Sequence, residues 1–390
     1  MTVPELEIHK KTDQINSFEY ENAVILPRIT GVRAEEPMWG LGGVCNQEGN
    51  FVDSSAYDGG WATHGGPYLW NEEEEEYLEE EVIYFGIFFQ HWGHFLVDLI
   101  GRMWYPVCSV KYSQNMKVAY LGEEKPGQNH LEFFQLLGIN EKQLIHVTKP
   151  MRCRKVIVPE IAFRSCMWYT EEALQMFRYI INNVSKKEDL HKKYGRVKKI
   201  YFSRTQFGKA QNSEFGEEML EHIFIENGYI SIAPEKLSLS EQVYLWNHAE
   251  SIACVNGTIP LNVVFCANKN LKLTVLNKTS LFHGNPYLFL EMQKVKARFV
   301  DVYKEPFKKY PKSLGEGPFL MTITKEFVSW MGEEDIRLPY QAREIQIRTV
   351  KNQIKYCFSI LGITRKIRML LSKMCPDKMK QIARKIRGIH

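Results

Sequence analysis

No stretch of this 390-residue chain approaches the ~18 to 20 uninterrupted apolar residues that a membrane-crossing helix needs, although 44% of its residues are apolar and 13% aromatic. The apolar residues therefore belong in globular cores, and the length fits two domains of ordinary size. Residues 1–10 lack the basic-then-apolar layout of a secretory signal. The eight cysteines, at 45, 108, 153, 166, 254, 266, 357 and 375, include no Cys-x-x-Cys pair. That argues against a disulfide or zinc framework and for reduced thiols in a core. Together these absences predict a cytoplasmic protein. Acids are scarce in one place only: residues 341–390 hold thirteen Lys or Arg against Glu344 and Asp377, a surplus of eleven. With a net charge of +4, the first 340 residues then carry −7. A mildly acidic body excludes a nucleic-acid role for the whole chain, and the basic tail is a separate device.

What is present alternates between strand and helix patterns. Residues 22–27, 82–85, 116–121, 144–147 and 155–158 read as strands, with the glutamate run 71–81 as a solvated loop. Residues 130–137 read as a helix closed by Gly138, and 170–184 as an amphipathic helix capped by Thr170. The segment from Trp39 to Trp70 is rich in glycine and aromatics; it reads chiefly as turn-rich core, with an acceptor-lining role as the alternative. A lysine-rich stretch, 185–198, marks a linker. A second unit follows with strands near 199–203, 229–232, 251–255, 271–276 and 298–302, and Ser238-Leu-Ser-Glu241 opens a helix as a capping box. Such alternation predicts the α/β class with parallel sheets covered on both faces. The division is 1–184, linker 185–198, 199–320, a returning helix in 321–340, and a tail in 341–390.

The chain is organised around residues 91–107. At about 100° per residue, His91, His94, Asp98 and Arg102 fall on one stripe of a helix otherwise made of Trp92, Phe95, Leu96, Val97, Leu99, Ile100, Met103 and Trp104. A helix apolar nearly all round is buried, so the polar stripe must meet partners or line a cleft. Three readings stay open: a satisfied network in which Asp98 pairs with Arg102, a cleft where imidazole and carboxylate share protons, and a metal site at His91, His94 and Asp98.

In the second unit, Ser203-Arg204 and Asn256-Gly257-Thr258 each follow a strand, where open α/β sheets bind ligands. A glycine before a helix N-terminus suits phosphate, and an arginine fork matches its oxygens. The plainer reading of Arg204 is a surface ion pair with Glu214 or Glu218, and that of Gly257-Thr258 an ordinary strand-to-helix turn.

Taken together, residues 82–280 resemble the family 61 glycosyltransferases. Three stretches carry the resemblance: His94-Phe-Leu-Val-Asp98 with Arg102; Tyr201-Phe-Ser-Arg204 followed by Asn212, Glu214, Gly228-Tyr229, Pro234-Glu235 and Leu237 to Gln242; and Val255-Asn-Gly-Thr-Ile-Pro-Leu-Asn262-Val-Val-Phe265. Asn256 stands where the family usually has histidine, and Phe207 and Lys209 where a second arginine often follows. The resemblance implies a GT-B-like architecture, two Rossmann-type domains facing a cleft. It implies an inverting hexosyl- or pentosyltransferase of surface or capsular polysaccharide synthesis that takes a nucleotide-sugar and needs no metal or other cofactor. The acceptor would be a glycan or lipid-linked glycan. The catalytic group would be Asp98, or His94 oriented by Asp98, with His91 beside them. The donor would be held by Arg204, Ser203, Asn256, Gly257, Thr258, Asn262, Glu235, Lys209 and Arg102. Two other functions remain open: a different polysaccharide-modifying enzyme such as a pyruvyl transferase, and a non-catalytic glycan-binding scaffold.

The tail sets Ile345, Val350, Ile354, Phe358, Leu361, Ile367, Leu370, Leu371 and Met374 against lysines and arginines. That pattern suits a helix lying on an anionic membrane surface, peripheral on its inner face, or one packed back on the body with a basic outer side.

Overall fold

The computed structural model describes residues 6–306 and 313–362. The second part of the expected tail, including Ile367, Leu370, Leu371 and Met374, lies outside the described residues. Among the described residues no helix is long and apolar enough to cross a membrane.

Two large sheets dominate the mixed α/β fold. The first contains β1 (Ser17–Ile29), β2 (Leu41–Cys45), β3 (Glu76–Ile87), β4 (Lys117–Leu121), β5 (Leu144–His146) and β6 (Met151–Pro159), in the order β2-β1-β6-β3-β4-β5. Its strands are not all parallel, as the alternation predicted. β6, β3, β4 and β5 are parallel neighbours, but β1 runs antiparallel to both β6 and β2. This half is therefore a mixed sheet rather than a Rossmann-type one. The glutamate run also departs from expectation, because strand β3 already begins at Glu76. Its carboxylates meet cations on neighbouring chain segments: Glu76 faces Lys149, Glu80 faces Lys117, and Glu81 faces Arg154. Opposite charges across a sheet remove the repulsion that would keep such a run in solvent.

The second sheet follows its pattern closely. Strands β7 (Lys199–Phe202), β8 (Ile230–Ile232), β9 (Ser251–Val255), β10 (Lys272–Asn277) and β11 (Ala297–Asp301) are all parallel, in the order β8-β7-β9-β10-β11. The chain steps to one side of β7 and then to the other, so the carboxyl ends of β7 and β9 border a topological switch point, where open α/β sheets form a ligand crevice. That crevice receives Arg204, Gly257 and Thr258.

Helices α1 (Gln128–Leu136), α2 (Glu171–Ser185), α3 (Glu217–Glu226), α4 (Leu239–His248) and α5 (Asn285–Gln293) cover the sheets. Thr170 accepts from the Ala173 N–H at the start of α2, and the buried face of α2 runs from Ala173 to Val184. This face serves both halves: Phe177 lies edge-on to Phe265 and Phe289 of the second unit, 5.8 and 6.1 Å between ring centroids. One apolar core thus extends from the first sheet into the second. Residues 185–198 are not an open linker. A short helix, Glu188–Tyr194, buries Leu190 and holds Glu241 of α4 through Lys193 and Tyr194. A polar segment can look like a linker in sequence when its charges are paired with a neighbouring helix.

The capping box at Ser238 is present, with Ser238 and Glu241 satisfying each other's backbone N–H. A second cap comes from the other half: Glu132 on α1 accepts from the N–H of Leu239 at 2.7 Å and of Ser240 at 3.0 Å. A carboxylate on free N–H groups at a positive helix end is stabilising. Glu132→Ala should therefore lower the unfolding free energy by about 2 kcal/mol, measured by urea denaturation. An unchanged midpoint would contradict this role.

Candidate active site

The central segment is helical but irregular. Trp92–His94 is one α-turn, Phe95–Leu99 a wider π turn, Ile100–Arg102 a 3-10 turn, and Tyr105–Cys108 a last α-turn. The changes of pitch keep His94 and Asp98 together and turn Arg102 away. Arg102 donates to the carbonyl of Pro159 and, at 2.9 Å, to that of Ala56, with its guanidinium over the Tyr84 ring. It neither pairs with Asp98 nor offers itself to a donor, so the donor-binding expectation for Arg102 is corrected: it is a buried tie between the segment and the first sheet.

The Asp98 carboxylate has no exposed surface. Burying a charge this way requires partners, and it has three. Tyr57 Oη donates to Oδ1 at 2.6 Å, Trp61 Nε1 donates to Oδ1 at 3.1 Å, and His94 Nδ1 sits 2.9 Å from Oδ2. Burial, with the adjacent Asp98 charge, pushes the Tyr57 phenol far above its ordinary pKa, so it stays a donor. A carboxylate sealed in this way has no open face. The His94 side chain is 35% exposed, and the bond at Nδ1 leaves Nε2 free of Asp98. Of the two candidate residues, His94 is the one open to a ligand, with Asp98 bonded behind its ring.

The residues that complete this network lie in the aromatic stretch read chiefly as turn-rich core. Trp61 stacks on the His94 ring at 5.1 Å and 19°, yet remains 47% exposed. Trp39 stacks on Tyr57 at 5.5 Å. Neither Tyr57 nor Trp61 has a spacing relation to Asp98 that sequence could reveal. His91 Nδ1 accepts the His94 N–H at 3.3 Å. Burial, then the charges of His94 and Lys209, lower the His91 pKa and keep it neutral. Among the described residues no cluster of three or more His, Cys, Asp or Glu has the arrangement of a metal site, and Asp98 is already occupied by three donors.

The second half presents a cationic corner. Arg204 grips Glu214 with two bonds of 2.9 Å, and Lys278 Nζ reaches the same carboxylate at 2.9 Å. The pairing of Arg204 with Glu214 is one anticipated alternative, but it is buried, not superficial: the Glu214 and Lys278 side chains are 4% and 2% exposed. Burial opposes ionisation of Glu214, but Lys278 and Arg204 outweigh it and hold the carboxyl below its usual range. Two cations sharing one carboxylate leave a positive surplus. Lys278, at the end of β10, was not marked by any motif. A Cβ on Gly257, whose φ is +149°, would lie 3.8 Å from Lys278 Nζ, so the glycine loop and the ammonium border one space.

Several expected donor contacts have other duties. Ser203 is fully buried and closes a turn with Thr205. Asn256 donates to Asn277 and its Oδ1 accepts from His283 Nδ1, while Asn277 donates to Asp301, each step 2.8 or 2.9 Å. Asn262 accepts from Trp92 Nε1 at 3.0 Å and donates to Ile259, which makes it a bolt between the halves. Glu235 is exposed in the turn Pro234–Lys236, within electrostatic reach of Arg204. Lys209 is exposed in the short helix Gly208–Gln211. The helix after Thr258 is a seven-residue 3-10 turn, Ile259–Phe265, so side-chain cations outweigh its small dipole. Beside this corner lies a cavity of about 290 Å³, lined by Asn256, Asn277, Phe282, His283, Tyr287 and Asp301 among others.

The two clusters meet directly. A Cβ on Gly93 would lie 3.3 Å from Thr258 Oγ1 and 3.0 Å from the His91 ring. A side chain there would crowd both neighbours, because the histidine segment rests against the loop that follows β9. With the Trp92–Asn262 bond and the charge of Lys209 felt at His91, the segment that carries the dyad and the loop beside the cationic corner are in direct contact.

Behind Arg204, Glu217 is buried and accepts both the Arg204 N–H and the Tyr201 hydroxyl on one oxygen. Burial pushes its pKa up to about 8. A carboxyl with a folded pKa raised above an unfolded value of 4.5 contributes stability that is complete below pH 4.5 and is lost as pH rises toward 8. Glu217→Gln should remove that loss: relative to wild type it gains stability steadily from pH 5 to 8 in denaturant titrations. Parallel pH profiles would refute the neutral carboxyl.

A comparison with curated proteins finds no match. Residues 92–273, just under half of the chain, match the family model for Glycosyltransferase 61, and the matched stretch runs from the segment bearing His94 and Asp98 through the Arg204 and Gly257 loops into β10.

Proposed function

We propose that this protein is a nucleotide-sugar-dependent glycosyltransferase working with inversion in a GT-B-like crevice. The observation that carries the reading is the contact of Gly93, the residue before His94 of the His94–Asp98 dyad, with Thr258 of the loop whose Gly257 borders Lys278. The match over residues 92–273 supports the same chemistry. The nucleoside would occupy the cavity at the ends of β9, β10 and β11, and its diphosphate the space between Gly257, Lys278, Arg204 and Lys209.

In this reaction His94 Nε2 takes the proton of an acceptor hydroxyl. The oxygen bonds to the anomeric carbon from the face opposite the leaving group, and the bond from that carbon to the nucleoside diphosphate breaks. Asp98 stabilises the imidazolium that forms, as a buried carboxylate does in a hydrolase triad. Lys278, Arg204 and Lys209 stabilise the charge released on the diphosphate. A water-poor crevice limits hydrolysis of the donor. The acceptor is proposed to be a surface or lipid-linked glycan, its sugar ring lying on the exposed indole of Trp61.

His94→Ala should lower transfer by roughly 10²- to 10⁴-fold while leaving nucleoside diphosphate affinity unchanged in calorimetry. Full transfer by this variant would remove the assignment. Lys278→Met should weaken nucleoside diphosphate binding by about tenfold or more, and the exposed Lys209→Ala should weaken it less. Unchanged affinity in both would reject the anion site.

A further inference from the structure

The helix α6 (Lys325–Glu333) is followed by α7 (Ala342–Ile360), which carries two opposed apolar faces. One docks on the body. Asn352 and Tyr356 are buried, Ile345 packs on the core around Met321 and Trp330, and Thr349 bonds Thr322 at 3.0 Å. The other points outward. Ile347, Val350, Ile354, Phe358 and Leu361 are 59, 50, 51, 48 and 62% exposed. At about 100° per residue these five fall within a stripe about 80° wide, directly opposite the docked face.

Apolar side chains aligned in this way cover no core of their own, and contiguous exposed apolar surface marks a contact site. Charge selects the partner. Arg343, Lys351 and Lys355 are exposed on the same helix and border the stripe, while its single acid, Glu344, is held by Arg348. Residues 363–390 add nine Lys or Arg against one acid. A second copy of the chain would bring like cations together, which disfavours self-association. An apolar stripe between cations matches the boundary between acyl chains and anionic headgroups.

We propose that the outward face of α7 lies on an anionic membrane surface. Its apolar stripe enters the headgroup boundary and its cations meet the lipid charge. The helix packs on the strand pair of Glu214–Phe215 and Phe319–Leu320. Glu214 is the carboxylate between Arg204 and Lys278, so this docking would hold the donor corner near the membrane plane. The inference does not depend on the glycosyltransferase reading.

Sedimentation of the full chain with phosphatidylglycerol–phosphatidylcholine vesicles, and with phosphatidylcholine alone, tests it. Wild type should bind the anionic vesicles, bind neutral vesicles weakly, and release as salt rises. The double variant Ile354→Glu/Phe358→Glu should bind about tenfold more weakly, with an unchanged thermal midpoint because both residues lie on the outer face. Equal binding by variant and wild type would overturn the assignment and place the attraction elsewhere in the chain. Absence of wild-type binding, or a dimer that the double variant dissociates, would also overturn it.

Discussion

The arrangement depends on a carboxylate that has no access to solvent. Asp98 is stable in the interior only because Tyr57, Trp61 and His94 each direct a donor at it. Without such partners, burying the charge would cost several kcal/mol, roughly half the stability of an ordinary domain. The same three bonds shape the candidate site. They enclose Asp98, hold His94 through Nδ1, and bring an exposed indole flat against the imidazole. Two of the donors lie 41 and 37 residues earlier, so the loop carrying Tyr57 and Trp61 belongs to the same network.

The second half solves the opposite electrostatic problem. The proposed diphosphate crevice would need positive charge before the ligand arrives, but unpaired buried cations are destabilising. Glu214 moderates the difficulty by bonding Arg204 and Lys278 at once. Glu217 adds no second negative charge near neutrality because burial favours its protonated form. The corner therefore holds two cations on one ionised carboxylate, the charge that the proposed donor site relies on. Gly93 lets the halves approach beside it, since a side chain there would press on both Thr258 and His91.

The second sheet was legible in the sequence because its strands are apolar runs separated by capped helices, and a parallel, doubly covered strand has that signature. The pairing of His94 with Asp98 was legible as an i,i+4 spacing. Arg102 was misread because regular periodicity assumes constant pitch, and the π and 3-10 turns break it. The middle of β1 was legible at 22–27, but its antiparallel pairing, and strand β2 among turns and glycines, were not, because that pairing is set by contacts distant in sequence. Tyr57, Trp61 and Lys278 could not be found by motif for the same reason. Asn262 shows a further difficulty: it belongs to the matched loop, yet its side chain fastens Trp92 and does not face a ligand space.

The central claim is that the histidine pair and the cationic corner belong to one crevice. Nitrogen NMR of the labelled histidine side chains during titration with a nucleoside diphosphate tests it most directly. Binding should shift the ring resonances of both His91 and His94, because the added charge lies beside both rings. A nucleotide that binds while both imidazoles keep their chemical shifts would contradict the shared crevice.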